Sequence, residues 1–420
     1  MRALLTPGAR TGRVRAPGSK STAQRLLIAA ALGTSPVTVE CRGVSADIRA
    51  AADCLRALGA GIEPIGQDGF RVTPIRGGEQ RGECLLPCGM SGAVLRFLLP
   101  LCGALGRTAV FRREGRLPER PISPLDRELI AHGMTIEEDG ALLRCRGKLM
   151  PGVYTLPGNV SSQFVSGLLM TLPLLDGKST LTVTGERESA AYITMTERVL
   201  DLAGVRWESD GESYEIPGGQ RCALPETVRA GGDWSGAAFF LCMGALSDAG
   251  ITVEGLAHDS VQADRAVPEL LSAMGASVER TGSGVRVRRG VLHGTTIDAS
   301  SAPDLIPALC ALAAAAEGET RVINAGRLRW KESDRLETTA AMLRAVGGRA
   351  EVLPDGLVIR GGTAPKGGTV DPRGDHRIAM AAAVAACACS GPVEVTGAEC
   401  VEKSYPGFWE DLAALKGESK

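Results

Sequence analysis

The sequence predicts an α+β protein of two domains, each holding three copies of one helix-and-strand unit. Three observations carry this. Apolar helices with polar openings recur at Ser19, Ser91, Ser161, Asp233, Pro303 and Asp375, in steps of 70 or 72 residues. Between them, amphipathic helices ending in Gly59, Gly133, Gly204, Gly275 and Gly347 recur in steps of 71 to 74 residues, each followed by a short β-like run. A chain of 420 residues also exceeds one ordinary core. Self-similarity at a fixed period indicates repeated supersecondary units. Helices apolar on every face must be buried, so each domain is expected to be a sandwich-like body with helices inside its sheets.

The first repeat shows the pattern most fully. Pro17-Gly18 is turn chemistry, Ser19 or Ser21 can cap the first backbone donors, and Leu26 to Leu32 runs apolar to Gly33. Lys20 and Arg25 lie in the first turns, where the helix dipole is positive by roughly half a charge. Cations there are unfavourable unless an anion joins them, so the stretch reads as an anion site. Two solvated basic residues on an exposed helix would be the alternative, and the apolar continuation speaks against it. Ser19 separates Gly18 from Lys20, so the Gly-Lys-Ser order of a P-loop is absent.

Val37–Glu40, Ser179–Thr184 and Gly284–Arg288 have the Val/Thr content of strands. The amino-terminal run Ala3-Leu4-Leu5 reads as a strand. The last unit, from Asp375, lacks closing strands, and that amino-terminal strand is expected to complete it. Both chain ends then share one domain, residues 1–19 with 231–420, and residues 20–230 form the inserted one. Arg229-Ala-Gly-Gly232 reads as linker. Two crossings imply a hinge, and a cleft between the domains is the expected ligand site.

Net charge is −1 with no basic or acidic block, which argues against nucleic acid or a membrane surface as partner. The longest apolar run, Ile378 to Cys389, has 12 residues, too few to span a bilayer. The first residues lack the apolar core of a secretory signal. The 12 cysteines are scattered, several inside apolar helices (Cys102, Cys242, Cys310, Cys387), and lack metal-ligand spacing. They read as buried free thiols in a cytoplasmic protein, with no metal and no cofactor expected.

Polar residues cluster at the helix starts: Lys20, Ser21 and Arg25; Arg96; Ser161, Ser162 and Gln163; Asp304; Arg373, Asp375, His376 and Arg377. Arg116, Arg120, Lys331 to Arg335, and Lys403 precede the amphipathic helices. Cations exceed carboxylates, which suits a pair of multiply anionic substrates. Asp304 and Glu332 suit proton transfer, although Glu332 could simply pair with Arg335.

The stretches PGSKSTAQR, SGAVLRF, RLPERPISPL, GNVSSQFVSGLLM, PDLIP, RLRWKESDR, GDHRIAMA and EKSYPGFW, in this order, resemble the EPSP synthase family (3-phosphoshikimate 1-carboxyvinyltransferases). The resemblance spans nearly the whole chain. It implies two inside-out domains of three βαβαββ repeats each. It also implies transfer of the enolpyruvyl group of phosphoenolpyruvate to the 5-hydroxyl of shikimate 3-phosphate, with release of phosphate, in aromatic amino acid synthesis. Carried over by motif, Lys20, Ser21, Arg25, Ser161, Ser162, Gln163, Ser189, Asp304 and Lys331 would bind shikimate 3-phosphate, with Tyr192 nearby. Lys20, Gly92, Arg120, Gln163, Arg335, Arg377 and Lys403 would hold phosphoenolpyruvate. Asp304, Glu332, Lys20 and Lys403 would be catalytic, with Asp304 accepting the hydroxyl proton. The loop that commonly reads Asn-Ala-Gly-Thr in this family is Met90-Ser-Gly-Ala93 here, so the pocket that takes glyphosate in relatives is expected to differ. Arg327 stands where some relatives place an Asn. A monomer acting on small molecules is expected.

Two other readings compete. The UDP-N-acetylglucosamine enolpyruvyl transferases share the repeat and the donor. They usually carry a reactive Cys just before the Arg equivalent to Arg120, and Val110 to Glu119 contains none. A non-catalytic anion-binding repeat scaffold would have cations without placed carboxylates, and Asp304 with Glu332 speaks against it.

Overall fold

Each of the six apolar stretches becomes a helix or a short turn leading into one, and a polar residue stands at the start of all but the fifth, where Ala302 precedes the turn. A computed structural model describes residues 1–76 and 82–417. Its helices are α1 (Lys20–Ala31), α2 (Ala46–Ala57), α3 (Gly92–Ala104), α4 (Leu125–Ala131), α5 (Ser162–Thr171) and α6 (Ala190–Leu202). They continue with α7 (Trp234–Gly244), α8 (Val267–Ala273), α9 (Ile306–Ala313), α10 (Arg335–Ala345), α11 (His376–Ala388) and α12 (Phe408–Ala414). Ser19, Ser161, Asp233 and Asp375 accept hydrogen bonds from backbone donors of α1, α5, α7 and α11, the capping expected of these residue types.

Contacts divide the chain into two compact units, Met1–Gly18 with Gly231–Lys420, and Ser19–Ala230. Ser19, expected in the terminal domain, falls in the second unit because it caps α1. Within the terminal unit α7, α9 and α11 pack against one another. Every residue of α7 and α9 is buried, so neither helix has the polar face that would let it sit at a surface. Within the inserted unit α3 packs on α5, and α5 and α1 on α6. Gly167 permits the α3–α5 crossing: a Cβ there would lie 2.4 Å from the Arg96 carbonyl oxygen.

Sheets surround these helices with one recurring pattern. Cys84–Gly89 runs parallel to Ala109–Arg113, which pairs antiparallel with Leu142–Gly147, which pairs antiparallel with Met134–Asp139. The same order recurs around Ser179–Thr184 and around Glu319–Ile323. Strand, helix, parallel strand, helix and hairpin is the βαβαββ unit. The remaining sheets borrow strands from far along the chain. Arg2–Leu5 pairs antiparallel with Val393–Thr396 and closes the sixth unit. Arg10–Arg15 pairs parallel with Ile251–Glu254 and opens the fourth. Arg229, read from sequence as the start of a linker, ends the strand Thr227–Arg229, which runs parallel to Val37–Glu40. Its Val228 is buried between two exposed neighbours, a pattern too short to see as alternation.

The cysteines occupy core positions: all are free, and among them only Cys400 is not fully buried. Among the described residues no helix is long and apolar enough to cross a membrane.

Candidate functional site

In the inserted unit the polar openings of α1, α3 and α5 are tied together. Lys20, the first residue of α1, pairs with Asp47 at 3.1 Å. Gln24 Nε2, one turn on, donates to the Asp47 carbonyl oxygen at 3.1 Å and to Ser91 Oγ at 3.2 Å, joining the starts of α1, α2 and α3. Arg96 Nη1 donates to Gln163 Oε1 at 2.7 Å and Nη2 to the Pro121 carbonyl oxygen at 2.8 Å. These bonds join α3 to α5 and to the segment carrying Arg120. The Arg120 guanidinium lies across Gly92, where any Cβ would stand 2.9 Å from Cζ, Nη1 and Nη2. Lys20, Gly92, Arg120 and Gln163 thus belong to one connected group of helix openings.

Arg25 is 2 % exposed. Its guanidinium donates to Thr196 Oγ1, Ser166 Oγ and the carbonyl oxygens of Ser21 and Tyr192 and lies 4.9 Å from the Phe97 ring centroid. These partners are all neutral. Burial pulls its pKa down to about 10, against the phenol of Tyr192, which raises it. Ser161 caps α5 and Ser162 is buried at its start. Ser189, at the start of α6, is buried with φ 54° and ψ 39°. The left-handed region is unfavourable for a side chain with a Cβ, and strain of this kind gathers at functional positions.

In the terminal unit a second group forms around Asp304, on the short turn Pro303–Leu305 that leads into α9. Its Oδ1 accepts from Arg335 Nη1 and its Oδ2 from Arg377 Nη2, both at 2.8 Å, and Lys331 Nζ stands 4.0 Å away. Arg335, 1 % exposed, also donates to Glu332 Oε2 and Asp375 Oδ2 at 2.8 Å each. Burial works against its charge, but attraction from Asp375, Glu332 and Asp304 outweighs it and raises its pKa above the usual value. Lys403, buried, lies 3.8 Å from Glu332. Asp375 also caps α11 through the Arg377 backbone N–H and accepts from Ser333 Oγ. One carboxylate therefore sets the helix start, the Arg335 side chain and the Arg377 backbone together.

Arg335 and Arg377, expected to hold a substrate anion, both stand engaged by Asp304. Sequence reasoning did not single out Asp47 or Gln24. Asp47 carries an ordinary signal, an acid in the first turn of an amphipathic helix, and nothing in the sequence points it at Lys20.

The EPSP synthase (3-phosphoshikimate 1-carboxyvinyltransferase) family model matches residues 5–412. The chain belongs to the EPSP synthase family. A 3-phosphoshikimate 1-carboxyvinyltransferase of Clostridium kluyveri is 40% identical over 420 residues, covering 99% of this chain and 97% of the relative. One of Clostridium acetobutylicum is 37% identical over 423 residues, with the same coverage. A solved EPSP synthase structure from Acinetobacter baumannii superposes over 100% of both chains with TM-score 0.80 at 25% identity. The two-domain α/β fold expected of the EPSP synthase family is the fold this chain has.

Proposed function

We propose that the two groups of residues serve the EPSP synthase reaction as follows. The reaction itself comes with the family: the enolpyruvyl group of phosphoenolpyruvate passes to the 5-hydroxyl of shikimate 3-phosphate. The hydroxyl oxygen bonds to the substituted enol carbon, the bond from that carbon to the phosphate oxygen breaks, and phosphate leaves. The hydroxyl must lose its proton, and the methylene carbon must gain one and give one up. Two anions must be held while charge builds on the leaving phosphate.

In this reading Lys20, Ser21, Arg25, Ser161, Ser162, Gln163, Ser189 and Lys331 bind shikimate 3-phosphate. Lys20, Gly92, Arg120, Gln163, Arg335, Arg377 and Lys403 hold phosphoenolpyruvate. Asp304 takes the hydroxyl proton, and Glu332 with Lys403 serves the methylene carbon. The observation that carries the reading is Asp304 held between Arg335 and Arg377 at 2.8 Å from each. An anion that draws on those guanidinium groups loosens their hold on the carboxylate and leaves it freer to accept a proton. Burial makes such exchanges strong. The two compact units are read as the two domains, and the enzyme as a cytoplasmic monomer.

The test is phosphate release by the purified chain. Release requires shikimate 3-phosphate and phosphoenolpyruvate together. Release with UDP-N-acetylglucosamine in place of shikimate 3-phosphate, or none with either acceptor, refutes the reading.

A further inference from the structure

One buried acid near the Asp304 group has no part in the roles above. Asp264 lies on the short turn Ala263–Ala266 and is 3 % exposed. Its Oδ2 accepts a hydrogen bond from Ser235 Oγ, in the first turn of α7. Its Oδ1 is buried with no hydrogen-bond partner among the described residues. An unmade bond in the interior is costly, so a buried carboxylate oxygen left without a partner calls for a reason. Helix α7 packs against this turn and against the turn that carries Asp304.

The charges of Asp304, Arg377 and Asp233 act on Asp264, those of the two acids against its ionisation and that of Arg377 in favour of it. Its neighbour Arg265 donates to the His258 carbonyl oxygen, and Glu269 of α8 pairs with Arg280. Asp304 meanwhile has three cations within 4.0 Å: Arg335, Arg377 and Lys331. Cations stabilise a carboxylate and make it a poor proton acceptor. A general base works best when its basicity suits the operating pH, so something must offset them.

We propose that Asp264 is a positioning residue for this reaction: its buried carboxylate, held by Ser235, opposes the cations around Asp304 and keeps Asp304 basic enough to take the substrate proton. This rests on the reading of Asp304 as acceptor. Burial, then repulsion from Asp304, pushes the Asp264 carboxyl up to about 7. The opposing charge is therefore present above neutral pH and absent below it.

The experiment is kcat for phosphate release from about pH 5.5 to 9, on the full chain with both substrates saturating. Asp264→Asn keeps shape and an acceptor for Ser235 but never ionises. The ratio of wild type to Asp264→Asn should be near one below about pH 6 and rise to about tenfold above about pH 8, with the KM for phosphoenolpyruvate within about twofold. Ser235→Ala removes a donor to the ionised form and should move the same limb upward by about one pH unit. A ratio constant with pH, an unchanged kcat, or a loss confined to KM overturns the proposal. If Asp264→Asn does not fold, an unmoved limb in Ser235→Ala overturns it. Asp304→Asn separates the two readings. Near-normal turnover there removes Asp304 as acceptor and this proposal with it, whereas lost turnover with a pH-flat Asp264→Asn ratio overturns the Asp264 role alone.

Discussion

Gly92→Ala tests how the opening of α3 works. The added Cβ would stand 2.9 Å from three atoms of the Arg120 guanidinium, where carbon contacts settle at about 3.5–4.0 Å. The guanidinium must retreat by roughly 0.6–1 Å. It is the end of a flexible side chain, so the fold survives at a cost of ~1 kcal/mol, a Tm shift of about 2–4 °C. The functional cost is larger. A charge-assisted hydrogen bond contributes about 1.5–3 kcal/mol, and about 1.4 kcal/mol is tenfold in affinity. If Arg120 holds phosphoenolpyruvate, Gly92→Ala should raise its KM by about 10- to 100-fold, with a smaller change in KM for shikimate 3-phosphate. The assay is steady-state phosphate release with phosphoenolpyruvate varied at saturating acceptor. The double variant Gly92→Ala, Arg120→Ala should be no worse than Arg120→Ala alone, since the two act through one contact. A folded Gly92→Ala enzyme with an unchanged KM for phosphoenolpyruvate, or additive losses in the double variant, refutes the reasoning.

Three further outcomes are expected. Arg335→Ala strands Asp304, Glu332 and Asp375 without their shared cation and should cost about 3–5 kcal/mol in thermal melts. Arg335→Lys should rescue little, because a point charge cannot reach three carboxylates in a planar fork. Ser189→Gly relieves the left-handed backbone at φ 54° and should leave Tm unchanged or raised, while KM for shikimate 3-phosphate rises about tenfold; a lowered Tm with normal KM would make Ser189 merely structural. For Asp264, the folded-state pKa of about 7 lies above the ordinary 3.8. The folded state thus binds the proton more tightly, and stability falls as pH rises through that window. Asp264→Asn should therefore gain Tm over wild type at about pH 8 and not at about pH 4, read by melts across pH.

Particular residues show what could be read early. Ser19, Ser161, Asp233 and Asp375 announce helix starts by residue type alone, and the helices begin there. Val37–Glu40, Ser179–Thr184 and Gly284–Arg288 are strands over those same residues. Thr227–Arg229 does not read as a strand because three residues carry no period, and its partner strand lies nearly two hundred positions earlier. Of the site, Lys20, Asp304 and Arg377 stand out as charges at the mouths of apolar segments, and Arg120 and Arg335 as cations just before amphipathic ones. The pairing of Glu332 with Arg335 is legible from their spacing, but that Asp304 and Asp375 grip the same guanidinium is not. Asp304 is 31 and Asp375 40 residues away, and an Asp reads the same whether it faces water or a guanidinium.

The repeat, its period, the buried helices and the family motifs were settled by the chain itself, because capping, turn chemistry and apolar periodicity act over a few residues. The tertiary structure alone decided which charges meet. Lys20 with Asp47, Arg96 with Gln163 and Asp304 between two arginines are chosen by how separate helices pack. Coulomb energy depends on distance and burial, and a linear sequence carries neither.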